Sequence, residues 1–449
     1  MDNTLGGYLS FTDYGEVARS VSLDSAFLLR ATNENEAKAE FMTSSRLVRP
    51  RYIYQSVSAL NLKQKQTTIK ETLSLLSKDK NLTDKQAEDL RIRLGQYYYE
   101  CELILAARAF NRSSSKTERE QQEKRFQRAN EAIYGKFHAD TFWSLLRERL
   151  AMIPMGHLSQ EEQMQYAEMM RMIGVIGRNR KKRFAPQPKT VKAFGKRVQE
   201  LFASILRHIP DDKEEFTPED AAKITNEIIE QEIGIWDAAS KRGTKYRAIV
   251  DKTRSTAAVN NSQQRILYPG KRSAGNYSRI ELEKIIVHEF GVHVMRALPA
   301  EHQDLRAFYD NSSYSRLTEE GLAKVCEQAL DGKYDDIGII RYITIGLVTV
   351  CKKTFRETYE ILWRMEKLLN GRSQAECFDF VQRATRGTGV LPINADLSYY
   401  RGVNLVWKYI EEHLDDVGLM QVMFLSGKTD FLNQDRKRLI KTMQEDNLI

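Results

Sequence analysis

Two histidines stand five residues apart, with a glutamate directly after the first: His288-Glu289-Phe290-Gly291-Val292-His293. The segment reads as part of a helix. Ser278-Arg279-Ile280-Glu281 is a capping box, a serine followed three residues later by a glutamate. Ile285, Ile286 and Val287 then carry an apolar run into the first histidine, and the helix is expected to end near Ala297, ahead of Pro299. A regular helix turns about 100° per residue, so positions five apart diverge by roughly 140°. Side chains placed that way cannot meet at one point. Either the histidines act separately, or an extra residue bulges out as a π-turn, a rare feature that gathers at functional sites. Gly291 lies inside the interval, and glycine takes unusual backbone angles most cheaply. For the two histidines to cooperate, the helix must be distorted near Gly291.

Zinc peptidases commonly carry His-Glu-x-x-His. Its histidines face one ion, and the glutamate beside the first acts as general base on water. Here the interval is one residue longer. On this helix alone, two satisfied histidines in a buried helix are an equally good reading. A catalytic zinc site also needs three protein ligands and one open position. One loop downstream the chain reads Leu317-Thr318-Glu319-Glu320-Gly321-Leu322-Ala323. The two acids suit a helix's first turn, where the dipole favours negative charge. By helical phase Glu319 shares a face with Leu322, Cys326 and Leu330, whereas Glu320 lines up with Ala323 and Glu327. Phase leaves both acids open as ligands.

Glu320-Gly321-Leu322-Ala323 resembles the Asn-Glu-Gly-Phe-Ala element of zinc aminopeptidases. It is still more similar to the Gln-Glu-Gly-Leu-Ala motif of a family that pairs it with His-Glu-x-x-x-His, the interval found here. That family contains the microtubule-associated tyrosine carboxypeptidase and many bacterial relatives. The resemblance implies that His288, His293 and Glu320 bind zinc and that Glu289 is the general base. Similarity extends to Arg49-Pro50-Arg51-Tyr52-Ile53-Tyr54, to Ala129–Gly135, to Arg383-Ala384-Thr385-Arg386-Gly387 and to Asp396-Leu397-Ser398-Tyr399-Tyr400-Arg401-Gly402, spanning about residues 45–430. Relatives often place a lysine before that aspartate; here it is Ala395. Tyr399, in the shared signature, is a candidate oxyanion donor, with a core aromatic as the plainer reading. Arg383 and Arg386 are candidates to hold a substrate carboxylate, since arginine does so through two parallel hydrogen bonds. The strand Arg265–Tyr268, which precedes the histidine helix, is a candidate to pair with the substrate backbone.

The remaining sequence predicts an α+β, mostly helical fold: a zinc peptidase core, with its metal helix beside a small sheet, and a helical N-terminal lobe. Three parts are expected: a polar, loosely held lead-in at 1–45, the helical lobe at 46–185, and the catalytic domain at 186–449. Strands are expected between Trp236 and Tyr268, and Thr217-Pro218-Glu219-Asp220 is a strong helix start. No run reaches the ~18 to 20 apolar residues that span a bilayer. The opening residues lack a basic region followed by an apolar core, and the four cysteines are scattered. A cytoplasmic location without membrane contact is therefore expected. Lys and Arg total 69 against 61 acids, too small an excess to predict a nucleic-acid partner. The excess gathers at Arg178–Arg197, which holds no acid; it reads as a solvated linker, or as a docking strip for an acidic protein tail or nucleic acid. The expected function is a zinc metallocarboxypeptidase acting on a peptide or protein C-terminus, removing tyrosine or another aromatic residue. The alternatives are a zinc endopeptidase or aminopeptidase, and a non-catalytic basic binding protein.

Overall fold

The structure is a computed structural model that describes residues 10–23, 25–177, 183–233, 246–254, 256–261, 263–270, 275–298, 313–425, 427, 431–432 and 434–449. It is mostly helical with two small sheets, an α+β fold. The chain gathers into two compact units, neither of them one continuous stretch. One holds residues 1–19, 185–337 and 401–436; the other holds 20–184, 338–400 and 437–449. A border falls at residue 185, where the prolines predict a lobe boundary. Residues 338–400, expected with the catalytic domain, gather instead with the helical unit. The reason lies in packing: Ile339–Thr349, Phe355–Asn370 and Gln374–Ala384 are helices whose apolar faces share one core with Phe142, Leu145, Leu146 and Met169.

Part of the expected lead-in, residues 1–9, lies outside the described residues. Phe11–Val21 and Glu34–Thr43 are helices. Phe41 is fully buried, edge-on to Phe355 at 5.1 Å and to Tyr359 at 5.5 Å. Such ring pairs add about 0.5–1.5 kcal/mol beyond area burial. The helices predicted through the N-terminal lobe are present as Ala59–Leu76, Asp84–Arg112, Lys116–Tyr134, Ala139–Ala151 and Gln160–Ile173. The basic run divides. Residues 178–182 lie outside the described residues, and the later part forms the helix Pro188–Leu201 rather than a linker. That helix buries Val191, Phe194 and Val198 while Lys189, Lys192 and Lys196 stay exposed.

In the first unit, strands β2 (Arg247–Asp251), β3 (Ala258–Asn260) and β4 (Arg265–Pro269) form a sheet in the order β2-β4-β3. β2 runs parallel to β4, in register Arg247 opposite Arg265, and β3 runs antiparallel to it, Ala258 opposite Leu267. A smaller antiparallel pair joins β1 (Glu215–Phe216) to β5 (Tyr277–Ser278). The helix Pro218–Ile228 starts as predicted: Thr217 and Asp220 cap one another through their side chains and backbone, an arrangement contributing about 0.5–2 kcal/mol. It then packs on the sheet. Asn226 of this helix bonds both the N–H and the carbonyl of Ala248 at 2.9 Å, occupying the outer edge of β2. β4, proposed to receive substrate, is the central strand with both edges paired, so it has no free ladder to offer.

Candidate metal centre and active site

The histidine helix begins where β5 ends. Ser278 is the last residue of β5 and also the cap, with its N–H and hydroxyl both donating to the Glu281 carboxylate at 2.9 and 3.0 Å. A regular α-helix runs Arg279–Ile286. From Val287 to Val294 the chain is a π-helix, and the Met295 N–H reaches back to the Phe290 carbonyl at 3.0 Å. The distortion demanded by the five-residue interval is therefore present, and it covers both histidines and Gly291. Its effect is direct: the His288 and His293 rings meet edge to face with centroids 4.9 Å apart. Gly291 is required by crowding, since a Cβ there would stand 2.8 Å from Cε1 of Phe202. His288, Glu289 and His293 each offer a ligand atom within 4.8 Å of the others, with His288 and Glu289 buried.

A second helix, Ser313–Asp331, supports both rings from behind. Nδ1–H of His293 donates to the Glu319 carboxylate at 2.8 Å, and Nδ1–H of His288 donates to Glu327 at 2.5 Å. Each imidazole is thus left with Nε2 to offer a metal ion. Lys324 bonds both oxygens of Glu327, at 2.8 and 2.9 Å. Glu320 stands outside the 4.8 Å grouping. Burial works to raise its pKa, but the charges of His293, Arg316, His288 and Lys324 hold it below the usual carboxylate value. For Glu327 burial is likewise overcome, by Lys324 and His288, and its pKa falls to about 2. For His288, burial and Lys324 push downward, while Glu327 and Glu289 outweigh them and leave the pKa raised.

Two imidazoles with a carboxylate are a donor set that zinc accepts, and His288, Glu289 and His293 group closely enough to offer atoms to one ion.

The glutamate helix is itself held closely. A Cβ on Gly321 would come within 2.5 Å of the Gly402 carbonyl carbon, and one on Gly402 within 2.2 Å of the Leu317 carbonyl oxygen. The helix Leu397–His413 can approach this far only because both residues are glycine. On the same face, buried Trp407 donates through Nε1 to Gln328 at 2.7 Å. The two segments that carry most of the family resemblance, Glu320–Ala323 and Tyr399–Gly402, thus meet through a glycine pair. The family model described as microtubule-associated tyrosine carboxypeptidase matches residues 110–449.

The chain belongs to this family.

Membership in the tyrosine carboxypeptidase family brings carboxypeptidase-type hydrolase activity with it. The matched stretch starts later than the residue 45 expected from the opening segment. No curated protein matches the chain. Among solved structures, it is similar to a protein from Colwellia psychrerythraea described as a lipoprotein, with 10% identity over 86% of this chain and 71% of the other, at a TM-score of 0.34. No helix of the described residues is long and apolar enough to cross a membrane.

The other candidate residues belong to the second unit. Arg383 is engaged: Nε and Nη2 donate to the two oxygens of buried Asp396 at 2.8 and 2.9 Å. Two of its donors brace the signature segment in this way. Arg386 is half-buried in the turn that follows the helix Gln374–Ala384. Tyr399 is half-buried with the Arg341 guanidinium 4.0 Å over its ring, and it precedes Gly402 by one turn of the same helix. Sequence reasoning left Glu319 open as a ligand and missed Glu327 and Lys324 as neighbours of the histidines. The phase argument had placed Glu319 and Glu327 on different faces, yet each meets one of the two imidazoles.

Proposed function

We propose that this protein is a zinc-dependent carboxypeptidase that removes residues from a peptide or protein C-terminus. The observation that carries the reading is the π-helix, which brings His288 and His293 together with Nδ1 of each committed to a carboxylate, in a member of a carboxypeptidase family. His288, His293 and Glu320 would hold the ion, as the shared motifs imply. Zinc, when bound, supplies Lewis acidity that brings water toward a pKa of about 7 and polarises a carbonyl.

Glu289, grouped with both imidazoles, is placed to take the proton of the attacking water and deliver it to the leaving amine. Its burial keeps bulk water from competing for that proton. Tyr399 is proposed as the donor to the developing oxyanion, on the strength of the shared signature. With Arg383 committed to Asp396, Arg386 is the proposed partner of the substrate's terminal carboxylate. The substrate backbone is proposed to add to β3, which packs against the π-helix and has no second partner strand among the described residues.

A tyrosine or other aromatic at the C-terminus is the proposed preference, in line with the activity named for the family. The cytoplasm is the proposed location, since a reducing compartment suits four free cysteines, three of them buried. The test compares matched peptides with free and amidated C-termini. Hydrolysis of the free form alone supports the reading, and equal hydrolysis of both forms contradicts it.

A further inference from the structure

The second unit contains a cavity that the proposed chemistry does not use. Its volume is about 170 Å³. Three segments of that unit wall it: the helix Lys116–Tyr134 with Phe137 after it, the end of the helix Ile339–Thr349 with the residues that follow, and residues 390–394. An apolar cavity of roughly 150 Å³ takes one benzene-sized ring, so this one suits a small molecule. Part of the lining is apolar, with Phe126, Val348 and Leu391 buried and Phe137 half-buried. The walls are tied to one another. Asn130 donates to the Pro392 carbonyl at 3.1 Å and accepts from the Asn394 N–H at 2.8 Å, and Phe137 packs against Tyr342 with ring centroids 4.8 Å apart.

Charge of both signs lines the same space. Glu123 and Glu131 lie on one helix face with Gln127 between them, and Lys352 and Lys353 come from a separate segment. No ion pair joins these lysines to those glutamates, and Glu123 makes no side-chain hydrogen bond or ion pair among the described residues. Thr349, also in the lining, has a buried hydroxyl with no hydrogen-bond partner among them, although buried polar groups are ordinarily bonded. Lys352 is held at a φ of 52°. Next to it the Lys353 N–H reaches back to the Leu347 carbonyl at 3.0 Å, which puts Lys352 where a helix end usually has glycine. A lysine there accepts backbone strain and adds an ammonium group to the cavity.

We propose that this cavity binds a free amino acid with an apolar, ring-bearing side chain. The ring takes the space beside Phe126 and Phe137, where aromatic contacts add to burial. The carboxylate meets Lys352 and Lys353 and the ammonium group meets Glu123 and Glu131, so charges that do not reach one another each gain a partner. Such a zwitterion has the chemistry of the product released by the reaction proposed above, but the site follows from its own lining and does not depend on that reading.

The test titrates L-phenylalanine into the full chain by calorimetry. The comparison ligands are 3-phenylpropionate and phenethylamine, which carry one charge each, and L-serine, which lacks the ring. Phenylalanine should bind saturably in the millimolar range or tighter, and the other three several-fold more weakly. Glu123→Gln combined with Glu131→Gln should weaken phenylalanine several-fold without weakening 3-phenylpropionate. Lys352→Gly combined with Lys353→Gln should weaken both ligands. Because glycine suits the left-handed position, that second variant should unfold at or above the parent temperature, which separates lost binding from lost folding. 4-Azidophenylalanine, photolysed on the protein and mapped by mass spectrometry, should label peptides from residues 116–137, 348–353 or 390–394, which locates the binding in this cavity and not at the metal centre. The inference is overturned if phenylalanine does not bind saturably, if any of the three comparison ligands binds as tightly, or if the label falls only outside these peptides. Phenylalanine binding unchanged in both charge variants overturns it as well.

Discussion

Glu289 is the residue on which the proposed chemistry turns. It is buried beside both imidazoles, and the proposed mechanism uses it only to move a proton. Glu289→Gln should therefore keep zinc uptake while lowering kcat by about 10²- to 10⁴-fold, the usual contribution of a general base. His293→Ala removes a ligand and should lose zinc and activity together; metal content measured beside turnover separates the two cases. Arg386→Gln should raise KM for peptides with a free C-terminus more than it lowers kcat. At this scale the sequence was readable where a motif fixes chemistry: His288, Glu289 and His293 do come together. It did not show the Arg383–Asp396 pairing, because a guanidinium's partner depends on which segments fold beside it, and Asp396 lies 13 residues away in the chain. It was silent on Lys324, and it placed Glu327 only by helical phase, in line with Glu320.

The π-helix is the element that makes the site, and its cause is legible. An interval one residue too long for a regular helix can bring two side chains together only by adding a bulge, and Gly291 permits one where Phe202 packs against the backbone. Gly291→Ala should destabilise the protein by about 1–3 kcal/mol through overpacking, with zinc affinity falling as well. Phe202→Leu in the same chain should restore part of the stability, as a denaturant titration would show. Gly321→Ala should be more damaging. Its Cβ would meet backbone of the helix Leu397–His413 rather than a ring that can shift, so the helix holding Glu319 and Glu320 would move. The glycine pair escaped sequence reasoning because nothing in either segment names its partner. The same limit applies to β4: its apolar run identified a strand, but its central place in the sheet came from β2 and β3.

For the molecule as a whole, the mostly helical α+β class was legible because long amphipathic stretches and capping boxes are local signals. The grouping of residues 338–400 with the helical unit was not, since it depends on apolar faces meeting across distant sequence. The account joins a family whose activity is carboxypeptidase-type to a histidine–carboxylate cluster proposed to hold a dication. Metal removal should lower thermal stability, because ligand that binds only the folded state adds about 2.7 kcal/mol at a hundredfold excess over Kd. The most direct test is a mass-spectrometric panel of peptides with varied ends, incubated with the protein before and after chelation. The account predicts loss of residues from the C-terminus alone, fastest after an aromatic, abolished by the chelator and restored by zinc. Cleavage within the peptides or from the N-terminus, or C-terminal trimming that persists in the metal-free protein, would contradict it.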